Sequence, residues 1–164
     1  MLTVIGRRKI LTEDKPDNII ITGNTVFILA PVSVKLDLRD AYIPKAELVG
    51  ADLSHANFAG ANLNGAVLVG ANLSGAYLTR AANLSGADLF GANLSDANLY
   101  EADLTKADLT AATLNGADLT DAKGLTQKQL DEACGADVKL PAGLTIKQCR
   151  QQPELFPGPP IELR

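Results

Sequence analysis

The chain has 164 residues and a formal net charge of −4, and it is 46% apolar with only 4% aromatic residues and no Trp. That length fits one domain, and apolar content made mostly of Ala, Leu and Val excludes a core of large, irregular side chains in favour of a narrow, repetitive one. No run approaches the roughly 20 apolar residues of a membrane helix.

Residues 1–35 carry five basic and three acidic groups. Arg7-Arg8-Lys9 looks like the charged start of a signal peptide, but Ile10-Leu11-Thr12-Glu13-Asp14-Lys15 follows where an apolar stretch is required. With Met1 as the true start, a soluble, unexported, cytoplasmic chain is expected. Strand-like runs occupy Thr3–Ile5, Asn18–Thr22 and Thr25–Leu29, and Thr22-Gly23-Asn24-Thr25 reads as the turn of a hairpin. The expectation is a β-rich N-terminal cap over the first repeated coil.

Residues 36–122 repeat with a period of five. After an opening Leu36-Asp37-Leu38-Arg39-Asp40 unit, the chain runs AYIPK AELVG ADLSH ANFAG ANLNG AVLVG ANLSG AYLTR, adds Ala81, and resumes with ANLSG ADLFG ANLSD ANLYE ADLTK ADLTA ATLNG ADLTD, 17 units in all. A period of five fits neither a helix nor a simple alternating strand. Two apolar residues in every five can all face inward if the chain turns after each unit, and frequent Gly at the unit boundary tolerates such a turn. Successive coils can then pair through the main chain at about 4.8 Å.

These A-(N/D)-L-x-x units resemble the pentapeptide-repeat family over about half the chain. The resemblance implies an all-β solenoid: a right-handed quadrilateral β-helix with four units, or twenty residues, to a coil and a little over four coils. The central residues, such as Leu48, Leu94 and Leu114, are expected to form an inward stack.

Stacking units four apart, with one residue added across Ala81, assigns the faces. One face carries Val49, Val69, Phe90 and Thr110 after its centres and Glu47, Val67, Asp88 and Asp108 before them. Val49, Val67, Val69 and Phe90 thus form an exposed apolar stripe edged by acids, a candidate partner-binding surface; the alternative is that β-branched residues simply suit strands. The partner would be a different protein, a second copy in a homodimer, or the chain's own tail through Leu155 and Phe156. A second face presents Asp52, Asn72, Asn93 and Thr113, and a ladder of side-chain hydrogen bonds is expected there. Tyr77 and Tyr100 decorate another face. Ala81 breaks the period at the corner between the units centred on Leu78 and Leu84 and is expected to be absorbed as a local bulge.

Residues 123–150 read as a helical cap. Thr126 and Gln129 make a capping box, with Leu125 and Leu130 as a hydrophobic staple and Gly135 as the stop. A helix is expected at about 127–134, with a second helical turn near Gly143. Cys134 and Cys149 are spaced to staple this cap by a disulfide, although reduced thiols are the default for a cytoplasmic chain. Residues 151–164 hold four of the eight prolines and read as an extended tail.

Chemistry-bearing motifs are missing. The single His55 has no nucleophile at useful spacing, two Cys without His make a poor metal site, and no phosphate-binding glycine loop or hydrolase motif occurs. Asp shares one repeat slot with Asn, which reads as a solvated position rather than a calcium or acid–base site. The expectation is a protein that is not an enzyme and holds no cofactor or metal. Its partner is expected to be a protein, with no membrane contact. Residues 36–122 carry four basic and eleven acidic groups, net −7, which argues against direct binding to nucleic-acid phosphates. The resemblance also implies a runner-up, since some family members mimic duplex DNA and bind DNA gyrase; such a mimic should display one continuous acidic strip.

Overall fold

A computed structural model describes residues 19–22, 25–28 and 36–149 of the chain. Strands β1 (Ile19–Thr22) and β2 (Thr25–Ile28) pair antiparallel in a register that sets Thr22 opposite Thr25, and the expected turn residues Gly23 and Asn24 lie outside the described residues. The expected Thr3–Ile5 strand and the tail at 151–164 lie outside the described residues, as does most of the segment expected to cover the first coil.

From Leu36 onward the chain is a four-sided tower. Parallel bridges link each coil to the next at a spacing of 20 residues, as in Glu47 to Val67, of 21 where Ala81 intervenes, as in Val67 to Asp88, and of 21 again at the last two bridges, from Thr113 to Cys134 and from Asp118 to Lys139. A single unit shows how the pattern works. Leu48 N–H donates to the Val67 carbonyl at 2.8 Å and Gly50 N–H to the Val69 carbonyl at 2.8 Å, while Val67 N–H returns a bond to the Ala46 carbonyl at 2.9 Å. The corner closes when Ala51 N–H donates to the Leu48 carbonyl at 3.1 Å. Gly50 occupies the third place of that turn at φ 63°, the left-handed backbone that a type II turn demands there.

The inward columns are as the period predicts. Leu53, Leu73, Leu94 and Leu114 are buried in one column, and Ala56, Ala76, Ala97 and Ala117 are buried at the neighbouring corner. Phe58 is the largest fully buried side chain in the stack. At about 1.5–3 kcal/mol for each buried Leu, the stack supplies tens of kcal/mol before chain entropy is subtracted.

The extra residue Ala81 is accommodated differently from the expected bulge. Arg80 and Ala81 both take φ 57°, and Ala82 N–H donates to the Thr79 carbonyl at 3.2 Å. Two successive left-handed residues inside a four-residue turn absorb the insertion at the corner. The strands on either side keep their register because the surplus length never enters a rung.

The C-terminal segment also departs from expectation. Helix α1 spans Gln127–Glu132, shorter than the expected 127–134, and is capped by Thr126 with the full capping box. It ends through Ala133 in extended backbone at φ −96° and ψ 179°, and Gly135 is not the left-handed stop. The reason is that the chain must re-enter the tower. Cys134 bridges Thr113 and Lys139 bridges Asp118, so rungs run on past residue 122. Gly135 is buried above Leu114, where a Cβ would meet the Leu114 carbonyl at 3.0 Å. No second helical turn forms over 143–149; instead Leu144 and Ile146 lie against the core and Lys147 accepts the Gly135 N–H at 2.9 Å. Cys134 and Cys149 are joined by a disulfide with their Cα atoms 4.7 Å apart.

Candidate interaction face

Each unit points one residue outward on either side of its buried centre. The bridges place Glu47, Val67, Asp88 and Asp108 in one column. The rung bonds Gly50 to Val69, Gly70 to Phe90 and Gly91 to Thr110 place Val49, Val69, Phe90 and Thr110 in the column beside it. The four candidate residues Val49, Val67, Val69 and Phe90 therefore share one face, with Val49 63% and Phe90 49% exposed and the other two partly covered. Val69 sits directly between Val49 and Phe90 in its column, at a coil spacing of about 4.8 Å.

The next corner makes this face accessible. Gly50, Gly70 and Gly91 stand above one another there, and a Cβ built on any of the three meets nothing within 4 Å. Other corners carry side chains: Asp40, His55 and Asp96 each lie over the glycine of the following coil. His55 is thus an exposed corner residue at φ 57°, its ring above Gly75, and meets no second histidine.

The slot shared by Asn and Asp is outward, yet it is more than solvated. Twelve of these side chains accept the backbone N–H two residues on, as Asp88 does from Phe90 at 3.0 Å and Asp108 from Thr110 at 2.8 Å. The side chain so satisfies a turn donor that the rungs leave free. This explains why the slot admits either residue and few others, a signal present in the repeat itself. Hydrogen bonds from the Thr110 hydroxyl and N–H hold the Asp108 carboxyl below its ordinary value, and the same contacts from Ser54 and Thr120 act on Asp52 and Asp118.

The polar ladder forms where stacking puts it. Asn72 Nδ2 donates to Asp52 Oδ1 at 3.1 Å and Asn93 Nδ2 to Asn72 Oδ1 at 3.3 Å. Acidic residues are spread over every side of the tower: Asp52 on the ladder face, Glu47, Asp88 and Asp108 beside the stripe, Asp103 on a third side, and Asp37 and Asp118 on the fourth. They make no single strip. Among the described residues Glu47, Asp88 and Asp108 form no ion pair, whereas Asp37 pairs with Arg39 at 2.7 Å and Asp118 with Lys139 at 3.0 Å. No group of three or more His, Cys, Asp or Glu side chains fit for a metal occurs among the described residues, and no helix there is long and apolar enough to cross a membrane.

One contributor escaped the sequence reading. Gln129 serves the capping box through Oε1, which accepts Thr126 N–H at 2.9 Å, and its Nε2 also donates to the Leu104 and Ala107 carbonyls, each at 2.9 Å. One amide therefore caps the helix and the tower together.

A family model described as pentapeptide repeats matches residues 46–81 and 82–121. Several solved structures are similar. A pentapeptide repeat protein from the Arabidopsis thaliana thylakoid lumen is 34% identical over 60% of this chain and 79% of that one, with a TM-score of 0.47. A pentapeptide repeat protein from Nostoc PCC 7120 is 29% identical over 68% of this chain and 78% of that one, with a TM-score of 0.50. The repeat model and the likeness to the Nostoc protein imply a right-handed quadrilateral β-helix. No curated protein matches.

Proposed function

This chain belongs to the pentapeptide-repeat family, and from that premise we propose that it acts as a non-catalytic scaffold that binds a protein partner through the face bearing Val49, Val67, Val69 and Phe90. One observation carries the reading. On two of the other faces the slot after the centre holds mainly Ser, Thr or Asn, and on the third it holds Arg39, Ala59, Thr79, Tyr100 and Thr120, while here three successive coils hold Val, Val and Phe beside a corner stripped of side chains. Burial of such a stripe against a partner removes apolar surface from water at about 25 cal/mol per Å².

The tower supplies what a scaffold requires. Its outward positions can vary without touching the buried Leu and Ala columns, and most of its backbone donors serve rungs and turns, Val49 and Val69 N–H on this face being exceptions. Along this face each coil is already paired with the next by rung bonds, so a partner engages mainly side chains. The DNA-mimic reading calls for one continuous acidic strip, and acids dispersed over four sides do not support it.

Affinity capture comparing the wild-type chain with a Val69→Asp/Phe90→Asp variant tests the proposal, once equal melting temperatures establish that both fold. A partner held by wild type and lost by the variant supports the stripe as the binding face. Identical captures overturn it and return the stripe to ordinary strand packing.

A further inference from the structure

We infer that the occupant of this face is a basic amphipathic helix of a partner protein, lying along the tower axis; the inference rests on the interaction reading above and names the partner's chemistry. Three features carry it. The first is length. Four coils at about 4.8 Å make a face about 19 Å long, which a single helix of about 13 residues covers at about 1.5 Å per residue.

The second is spacing. Val49 to Phe90 spans two coil steps, about 9.6 Å. Two helical turns span about 10.8 Å, while two same-side steps of an extended strand span about 13.5 Å. A helix thus keeps pace with the stripe and a strand does not.

The third is charge. The column beside the stripe holds Glu47, Asp88 and Asp108, none of them ion-paired among the described residues. Lys45 and Lys106 flank that column only at the corner of the first and last of these coils; the middle two coils have Gly65 and Gly86 there. Asp88, two residues from the exposed Phe90, has Gly86 rather than Lys at its corner. A helix with apolar residues at i, i+4 and i+7 and Lys or Arg on the adjoining line matches both columns.

The repeat itself provides variants that leave the fold intact. Asn already fills the Asp88 slot in other units and Ser the Phe90 slot. The probe is a synthetic helical Leu/Lys peptide of about 14 residues, long enough for the tower at about 1.5 Å per residue, with a Leu/Glu peptide of equal length as its counterpart. Titrated against the full chain, the Leu/Lys peptide should bind and the Leu/Glu peptide should not. Val69→Ser/Phe90→Ser should weaken binding at least about tenfold. Glu47→Gln/Asp88→Asn/Asp108→Asn should weaken it severalfold and flatten its salt dependence. Asp103→Asn/Asp121→Asn, on other sides, should leave it unchanged. Equal loss in that control pair, or equal binding of the Leu/Glu peptide, overturns the inference. If captures from a lysate depend on the stripe while the Leu/Lys peptide fails to bind, the helix inference falls and the scaffold reading stands; if neither depends on the stripe, both fall.

Discussion

At the residue scale, the fifth position of each unit carries the tightest backbone demand. It is left-handed in every unit, and Gly fills fewer than all of these places; Lys106 takes φ 59° and Ala111 φ 58°. A residue with a Cβ is held there at a cost of about 1–2 kcal/mol, partly offset by the smaller entropy of its unfolded chain. Ala111 is exposed, so its methyl group contributes little packing. Ala111→Gly should raise the melting temperature, by up to about 1 kcal/mol of stability. A lower melting temperature would mean that the corner tolerates its conformation for another reason.

The turn-capping carboxylates belong to the same scale. Asp52, Asp108 and Asp118 sit below their ordinary values because hydroxyl and N–H donors favour the charged form. A carboxyl depressed in the folded state stabilises it above the unfolded value of about 3.9, and that contribution disappears as pH falls through the folded value. Acid titration should therefore cost stability below about pH 4. The Asp52→Asn/Asp108→Asn/Asp118→Asn variant, melted across the same range, should lose less. An identical slope in both proteins would show that these carboxylates do not set the acid limit.

At the element scale, the C-terminal segment depends on a few polar contacts. Gln129→Glu keeps an acceptor for Thr126 yet loses both donors to the Leu104 and Ala107 carbonyls and sets a carboxylate against them. With each lost bond contributing about 1 kcal/mol and the carbonyls left unpaired, a loss of about 2–4 kcal/mol is expected in denaturant melts. A loss equal to that of other exposed helix positions would separate the helix from the tower's stability. The Cys134–Cys149 bond closes a separation of 15 residues, for which loop entropy predicts about 3 kcal/mol. Cys149→Ser should lower the melting temperature in oxidising buffer and abolish any further effect of reductant.

The elements also show what was legible beforehand. The faces could be written down from the period because each coil repeats after 20 residues, so naming Val49 located Val69 and Phe90. The capping box was legible because Thr126 and Gln129 interact locally. The exit of the helix was not, since whether Gly135 ends a helix or packs over Leu114 depends on the coil beneath it. The period located Ala81 at a corner but not its form there, because whether an extra residue bulges or lengthens the turn depends on how rung bonds and turn geometry compete.

At the scale of the whole molecule, one rule accounts for the structure and for the proposed function. Inward positions hold the tower and are nearly invariant, while outward positions are free, so function resides in departures from the outward pattern. Neighbouring residues of one unit test that rule most directly. Leu89 is fully buried and Phe90, the next residue, is half exposed. Melting Leu89→Ser and Phe90→Ser side by side, the rule predicts that Leu89→Ser loses at least about 3 kcal/mol while Phe90→Ser melts with the wild type. If both variants lose stability alike, Phe90 is part of what holds the tower, and the division between scaffold and binding face does not stand.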